Sequence, residues 1–474
     1  MMGFVKRHPK KLGALTFLLL TPLALHFAIV ASARETPPEV DVPKRTLEQR
    51  GDLTRFGDAY VRERGPLLEV GLRGNPETIG YSHSRLLYDK MVENEGILLH
   101  RFDAQVPSSL LRQVLLDLAQ ARYRNVDLGM SPERVREIAA GALGFQPDPF
   151  ARLFPTYQRF LYLNALYDIA LSFEGSPLIG CTTFTFTGAS ADHESSPSSQ
   201  GAILARAFDF EVDDVFDRRK AIFLVREDGK IPFASVAWPG LVGVVSGMNA
   251  EGLAVVVHGG RAGEPRAEGE PVVHALRRVL SDARDVPEAI ARLRERSPLV
   301  SHLIVLADAA GRTVAVERVP GAEPHVRELP SAAAVTNHFE GPFASDPKNL
   351  RVLEKTSTRD RRERGDELVH SLKEPVGPAR AVAMLRDRQG AKGQKLELGD
   401  RRAIDALIAT HGVVMQTAER LLWVSESPHL LGRFVRFDLT RLLAPDYDPA
   451  ASDSLATLPA DPLLESAEYK KLKP

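Results

Sequence analysis

An α+β fold is predicted for this chain of 474 residues, and three observations predict it. Residues 34–180 read as mainly helical. From Cys181 the texture changes to short strands at short intervals with turn residues between them, the spacing of an antiparallel sheet. Beyond that point the order is sheet, helices, sheet, helices, sheet, which is the order of a layered sandwich. Hydrophobic residues at 44% and charged residues at 26% are ordinary for a globular protein with a large core. The length suits two or three domains, or one large domain with an appendage.

The N-terminus begins with Lys6, Arg7, Lys10 and Lys11, continues as an apolar run from Leu12 to Val30, and ends in Ala31-Ser32-Ala33. That pattern is a secretory signal cut after Ala33, so residues 1–33 are assigned to it. The alternative is an uncleaved anchor, because the run is nearly long enough to span a bilayer; Pro22 and the small-residue site favour cleavage. The mature chain is therefore expected in the periplasm or outside the cell. Removing the four cations takes the formal charge from −1 to −5, which leaves no large positive charge for nucleic acid. One cysteine cannot supply a zinc-binding thiolate set, and the histidines show no ligand spacing; no metal and no cofactor are expected.

Residues 34–50 are rich in proline and charge and read as a linker. Ala59 to Arg73 reads as two short strands around Gly65-Pro66. Helices are predicted over Glu77–His100, Ser108–Arg122, Pro132–Leu143 and Tyr157–Phe173, with Ser131 capping the third. Strands follow at Cys181–Thr187, Ala202–Phe210, Ala221–Arg226, Phe233–Trp238, Leu241–Ser246 and Gly252–Val257. Helices over Pro271–Leu280 and Pro287–Arg296 precede four strands, His302–Asp308, Thr313–Arg318, His325–Leu329 and Ala333–Thr336. Asn349–Leu372 and Pro378–Arg388 are helical, and Val413–Thr417, Arg420–Ser425 and Arg433–Asp438 close the sheet. The tail over 446–474 reads as irregular.

The chain is organised around Leu178-Ile179-Gly180-Cys181-Thr182-Thr183, where a helical segment ends and a strand begins. Cys181 is the only cysteine. A lone thiol is most simply a small buried apolar residue. Exported proteins, however, tend to pair their cysteines or lack them, so an unpaired one needs a reason. A cysteine freed at a chain N-terminus carries its own base, an α-amine of pKa roughly 8. Cleavage between Gly180 and Cys181 would free it, and a glycine there leaves its carbonyl open to the adjacent thiol.

Gly180-Cys181-Thr182-Thr183 resembles the processing site of the acyl-coenzyme A:isopenicillin N acyltransferase-like group, self-cleaving members of the N-terminal nucleophile hydrolase superfamily. Five further segments carry the likeness downstream: Arg206-Ala207-Phe208-Asp209, Gly247 to Ala254, Thr336-Asn337-His338-Phe339, Ser357-Thr358-Arg359 and Leu422-Trp423-Val424. Upstream, Leu72 to Gly80 looks like the pro-region motif of that group. The resemblance implies a four-layer αββα sandwich over 181–445 and a small subunit over 34–180 that stays bound as a heterodimer after self-cleavage. It implies Cys181 as nucleophile, Asp209 holding the thiol or amine, and Arg206 favouring the thiolate. Asn337 would donate to the oxyanion. Arg359 would steady the Asp209/Arg206 network, with Arg361 and Arg362 as its alternatives in the same charge run.

Relatives that hydrolyse bile salts carry a second oxyanion asparagine where this chain reads Val257-His258-Gly259-Gly260, so a backbone N–H of His258 or Gly259, or the His258 ring, would serve. Asn249 reads as a turn residue. Arg206 and Asp209 on their own would read as a surface ion pair, and Asn337 as a turn cap. The polar loop Gly188–Gly201, with Asp192-His193-Glu194, reads as flexible or as lining the entrance. The implied activity is hydrolysis of a small N-acyl amide through a thioester, with acyl transfer second. The alternatives are a lipid amidase or phospholipase-like hydrolase on the same fold, and a non-catalytic exported structural protein.

Overall fold

The computed structural model describes residues 9–172, 179–193, 200–210, 215–451 and 454–472. Leu178 and Glu194 of the segments singled out above, and Lys6 and Arg7 of the basic start, lie outside the described residues. Two sheets face each other. The first has the order β1 (Glu48–Arg50), β2 (Leu53–Phe56), β3 (Ala59–Arg64), β4 (Leu67–Gly74), β7 (Ala221–Glu227), β8 (Phe233–Ala237), β9 (Ser246–Asn249), β10 (Ala254–Gly259), β11 (His302–Ala307), β12 (Thr313–Arg318), β13 (His325–Glu328). The second runs β14 (Ala332–Val335), β5 (Ile179–Thr187), β6 (Ala202–Phe210), β15 (Ala409–Gln416), β16 (Leu421–Ser425), β17 (Phe434–Asp438), β18 (Thr457–Leu458).

Strand alternation sends successive side chains into different apolar layers. Val255 and Val257 of β10 face helices, with Phe223 and Ile304 beside them. Ala254 and Val256 face the second sheet and meet Leu204, Val413 and Met415. Phe184 and Phe186 of β5 point out of the second sheet onto another helical layer that holds Val382 and Leu385. Three apolar layers between four structural ones make the expected αββα sandwich.

The helices on the first sheet are α2 (Pro76–Gln105), α4 (Pro132–Gly144), α5 (Thr156–Asn164), α6 (Leu166–Ser172), α7 (Val272–Asp282) and α8 (Val286–Arg294). α3 (Ser109–Tyr123) follows α2, and α1 (Pro9–Ser32) packs along it, with His26 Nδ1 2.9 Å from Asp117 Oδ1. α9 (Pro347–Lys355), α10 (Thr358–His370) and α11 (Pro378–Leu385) belong to the other side. Ser131 caps α4 by accepting from the Arg134 N–H. Among the described residues no helix is long and apolar enough to cross a membrane.

Several elements differ from the sequence reading, each for a local reason. Of the segment Leu241–Ser246 only Ser246 joins a strand, β9, because the backbone groups before it are taken elsewhere. The Val242 N–H donates to Asn164 Oδ1 at 2.8 Å, the Val242 carbonyl accepts from Arg277, and the Val244 N–H donates to the Val273 carbonyl. The predicted helix Tyr157–Phe173, whose last residue lies outside the described residues, is two helices, since Asn164 Nδ2 bonds back to the Phe160 carbonyl at 3.0 Å and ends the first. Thr356 does the same to Val352 at 2.7 Å and divides Asn349–Leu372 into α9 and α10. The tail carries a short strand, β18, and a last helix, Ala467–Leu472.

The region before Cys181 is not only helical. It adds β1–β4 to the first sheet, and β4 joins β7 in a parallel pair, so the two regions share one continuous sheet. Helix α2 lies against α4 so closely that a Cβ on Gly80 would meet the Glu137 carbonyl. Across the same boundary runs a buried ionic network. Glu137 of α4 accepts from Arg277 of α7 at 3.1 Å through both guanidinium nitrogens and also from Arg134. Glu227 of β7 accepts from Arg277 at 3.2 Å and from Arg134. Two cations face two anions, and all four are buried. Removing one member strands an unpaired charge, which costs far more than loss of a surface pair. Glu137→Leu is expected to lower the unfolding free energy by about 3–5 kcal/mol in urea titrations. Glu77→Gln, which breaks the half-exposed pair with Arg136, is expected to cost less than about 1 kcal/mol.

Candidate active site

β5 and β6 pair antiparallel with Gly180 opposite Asp209, Cys181 opposite Phe208 and Thr183 opposite Arg206. Residues directly opposite each other share a face, and alternate residues along a strand share it too. Cys181, Thr183, Arg206 and Phe208 therefore point to the first sheet. Gly180, Thr182 and Asp209 point to the helical layer outside the second. Arg206 and Asp209, three apart on one strand, fall on opposite faces and are not a surface ion pair; both are buried.

On the inner face, Arg206 Nη2 donates to Cys181 Sγ at 3.3 Å and to the Val257 carbonyl at 2.5 Å. Its Nη1 donates to the Val245 carbonyl at 2.9 Å and to Ser246 Oγ, which lies 2.9 Å from His411 Nε2. The guanidinium lies 4.1 Å from the Phe208 ring centre, within cation–π range. Burial pushes the Cys181 thiol up, and Arg206 offsets only part of that. The sulfur is thus held as a fully buried thiol rather than a thiolate.

At the end of β5, Asn337, beside β10 of the first sheet, and Arg361, from α10, close around the peptide. The Cys181 N–H donates to Asn337 Oδ1 at 2.8 Å, and Asn337 Nδ2 donates to the Gly259 carbonyl at 3.1 Å. Arg361 Nη2 also donates to Asn337 Oδ1 at 3.0 Å, so the amide orientation follows from partners that can act in only one sense. Arg361 Nη1 donates to the Cys181 carbonyl at 2.5 Å and to Thr182 Oγ1 at 3.0 Å. Asn337 is itself placed by its N–H, which donates to Thr358 Oγ1 at 2.8 Å. Burial lifts the Asp209 carboxyl to about 6, against the pull of Arg361 and Arg401. A Cβ on Gly180 would stand 2.9 Å from Asp209 Oδ2, so only glycine fits there without displacing the carboxyl.

Arg359 does not reach this site. It is exposed on α10, and Arg361, two residues on, is the arginine that turns in to the Cys181 carbonyl. The helical period carried the signal: Leu368, Gly365, Arg361 and Thr358 lie three or four apart and share the inward face. His258 and Gly259, expected at the oxyanion, lie beside Thr183 and Asn337. His258 Nε2 lies 2.7 Å from Thr183 Oγ1, and burial, then Arg206 and Arg361, hold the ring well below the usual range, so it is neutral. Gly259 contributes a carbonyl that positions Asn337. Of the two Asn337 Nδ2 hydrogens, Gly259 takes one.

Thr183, Ser246, His411 and Thr358 are supporting residues the sequence did not single out. Asn249 is structural: its Oδ1 accepts from the Glu251 and Leu253 N–H groups, and its Nδ2 donates to the Leu280 and Ala283 carbonyls. The left-handed residue of that turn is Gly252, at φ +83°. His193 is buried between Glu419 at 2.8 Å and the Gly201 carbonyl at 3.1 Å, so it pins its loop rather than lining an entrance.

Residues 197–400 match the family model described as acyl-coenzyme A:6-aminopenicillanic acid acyl-transferase. The matched region contains Arg206, Asp209, Asn337 and Arg361 and begins after Cys181. Comparison with curated proteins gives no match. Among solved structures, the chain is similar to a Caenorhabditis elegans ortholog of N-acylethanolamine-hydrolyzing acid amidase, at TM-score 0.35 and 14% identity over 50% of this chain and 93% of that one. It is similar to penicillin V acylase from Agrobacterium tumefaciens at TM-score 0.30 and 14% identity, over 59% and 90%. A variant of conjugated bile acid hydrolase from Clostridium perfringens follows at TM-score 0.28 and 10% identity, over 59% and 89%.

Two measurements check the geometry. In a Cys181→Ala background, Arg361→Ala is expected to lower the unfolding free energy by about 3 kcal/mol, because three buried acceptors lose a charged donor. Arg359→Ala, at an exposed position, is expected to change it by less than about 0.5 kcal/mol. In the intact folded chain Cys181 is expected to react with iodoacetamide at neutral pH at least about a hundredfold more slowly than in guanidinium-unfolded protein, since only an accessible thiolate reacts.

Proposed function

We propose that this chain, whose residues 197–400 belong to the acyl-coenzyme A:6-aminopenicillanic acid acyl-transferase family, is an exported precursor that cuts itself between Gly180 and Cys181 and then hydrolyses N-acyl amides. The observation that carries the reading is the treatment of one peptide bond: Asn337 holds the Cys181 N–H, Arg361 the Cys181 carbonyl, and Arg206 the sulfur.

In self-cleavage the Cys181 sulfur attacks the Gly180 carbonyl carbon. The thiol proton passes to the departing Cys181 nitrogen as the C–N bond breaks, leaving a Gly180–Cys181 thioester and a free α-amine. Asp209, packed against Gly180, is the adjacent carboxyl for relaying that proton. Water then opens the thioester to give the Gly180 carboxylate and a free thiol. In turnover the α-amine, of pKa roughly 8, takes the thiol proton. The thiolate attacks the substrate carbonyl, the oxyanion meets the second Asn337 Nδ2 hydrogen, the amine leaves with a proton, and water releases the acid. Water far exceeds any amine acceptor outside the cytoplasm, so hydrolysis comes first and acyl transfer second.

The two fragments, 34–180 and 181–474, remain together as a heterodimer, supported by the β4/β7 pair and the buried ionic network. Export rests on the sequence of residues 1–33. Ala33 is buried and its carbonyl accepts from Gln158 Nε2 at 2.8 Å, so signal removal would act on the chain before it folds.

Expression without residues 1–33, followed by intact mass under denaturing conditions, is expected to give two fragments, the larger starting at Cys181. Cys181→Ala is expected to give one uncut chain. Gly180→Val is expected to slow cutting at least about tenfold by pushing Asp209 aside. A single uncut chain from folded parent protein removes the α-amine base and this reading with it.

A further inference from the structure

A cavity adjoins the inner face of the site. Phe208, opposite Cys181 in the strand register, and Val245, whose carbonyl holds Arg206, belong to its wall. Phe216 and Trp238 continue that wall, their ring centres 4.9 Å apart, with Trp238 5.9 Å from Phe208. Helices from before Cys181 close the other side, chiefly through Phe160 and Tyr167, and Tyr167 stacks on Phe208 at 6.2 Å. Flat, apolar walls of this kind suit an aromatic ring.

Most of the lining is apolar; apart from Asn164, whose amide is paired, and the Tyr167 hydroxyl, unpartnered among the described residues, its polar groups lie at the end formed by α2. There Asn94, only 4% exposed, donates its Nδ2 to the Pro239 carbonyl at 3.4 Å, while its Oδ1 has no donor among the described residues. Pro239 offers only an acceptor, so the amide cannot be turned round without losing that bond. The neighbouring Glu95 is paired to Arg159, which also holds both Asp148 oxygens at 2.9 Å. Two carboxyls on one guanidinium leave this end with more acceptors than donors. A buried acceptor without a donor is disfavoured, and a ligand that supplies one gains where an isosteric ligand without it does not.

We propose that this cavity takes the acyl group of the substrate and selects acyl groups of aromatic width with a hydrogen-bond donor at the end remote from the scissile carbonyl, Asn94 Oδ1 being its acceptor. The substrate class is therefore amides of hydroxylated aryl-acyl groups. This rests on the acylase reading above, and Asn94 acts as a specificity residue rather than a catalytic one.

Calorimetry on Cys181→Ala protein lacking residues 1–33, titrated with 4-hydroxyphenylacetamide, 4-methoxyphenylacetamide and phenylacetamide, tests the cavity apart from the chemistry. The hydroxylated ligand is expected to bind at least tenfold tighter than either of the others, and Asn94→Leu to bring the three within twofold. Equal affinity of all three, or no binding of any, overturns the proposal without recourse to a variant. Turnover of the corresponding N-acyl amides by the parent enzyme separates the two readings. Turnover with no preference for the hydroxylated acyl group overturns the donor selection and leaves the acylase. A binding preference with no turnover of any amide supports the donor-selective cavity and overturns the acylase reading.

Discussion

The register between β5 and β6 is the constraint on which the rest of the site depends. With Gly180 opposite Asp209 and Thr183 opposite Arg206, one strand pair sorts its functional groups onto two faces. The sulfur and its guanidinium share the inner face, while the carboxyl and the glycine it crowds share the outer one. A slip of one residue would move every side chain of the strand to the other face. A slip of β5 would place Cys181 among the helices over the second sheet, and a slip of β6 would place Asp209 among the aromatic rings. Burial on both faces prevents the slip: Phe184 and Phe186 fill the outer apolar layer, while Thr183 and Thr185 lie on the inner face, where His258 bonds Thr183.

Around that strand pair the charges are arranged so that each buried cation has several acceptors. Arg206 is satisfied mainly by backbone carbonyls of the first sheet, and it is the irregular path of residues 241–245 that brings the Val245 carbonyl to it. Arg361 donates to the Cys181 carbonyl, and Arg206 to the Cys181 sulfur, so both sides of this residue are held in a buried, hydrogen-bonded setting. The same burial that keeps the thiol beside Arg206 also raises its pKa.

The region before Cys181 is part of the sheet and part of the cavity wall. Its β4 continues the first sheet through a parallel pair, its Glu137 and Arg134 complete a four-charge network, and its Tyr167 stacks on Phe208. A buried network of this kind is a poor source of net stability compared with apolar packing of equal volume, but breaking it is costly. It therefore acts as a registration device between the two parts of the chain. The same boundary shapes the cavity beside Phe208 and Cys181.

Much of this was legible in the residues themselves. The helix cap at Ser131, the change from helical to strand texture at Cys181, and the layered order followed from local chemistry, because caps, turns and apolar periods act within a few residues. The motif at Gly180-Cys181, and the Arg206, Asp209 and Asn337 positions, marked residues that the fold brings together. What stayed hidden depended on contacts distant in sequence. Leu241–Ser246 had the composition of a strand, yet Asn164, Arg277 and Val273 claim its backbone groups. Arg361 replaced Arg359 because only the packing of α10 decides which arginine of a charge run turns inward. The sequence by itself determined which chemical groups the site would hold, since those are fixed by residue type and order. Their faces, their partners and the protonation of the thiol were decided only by tertiary structure, because burial and hydrogen bonding between distant segments set them.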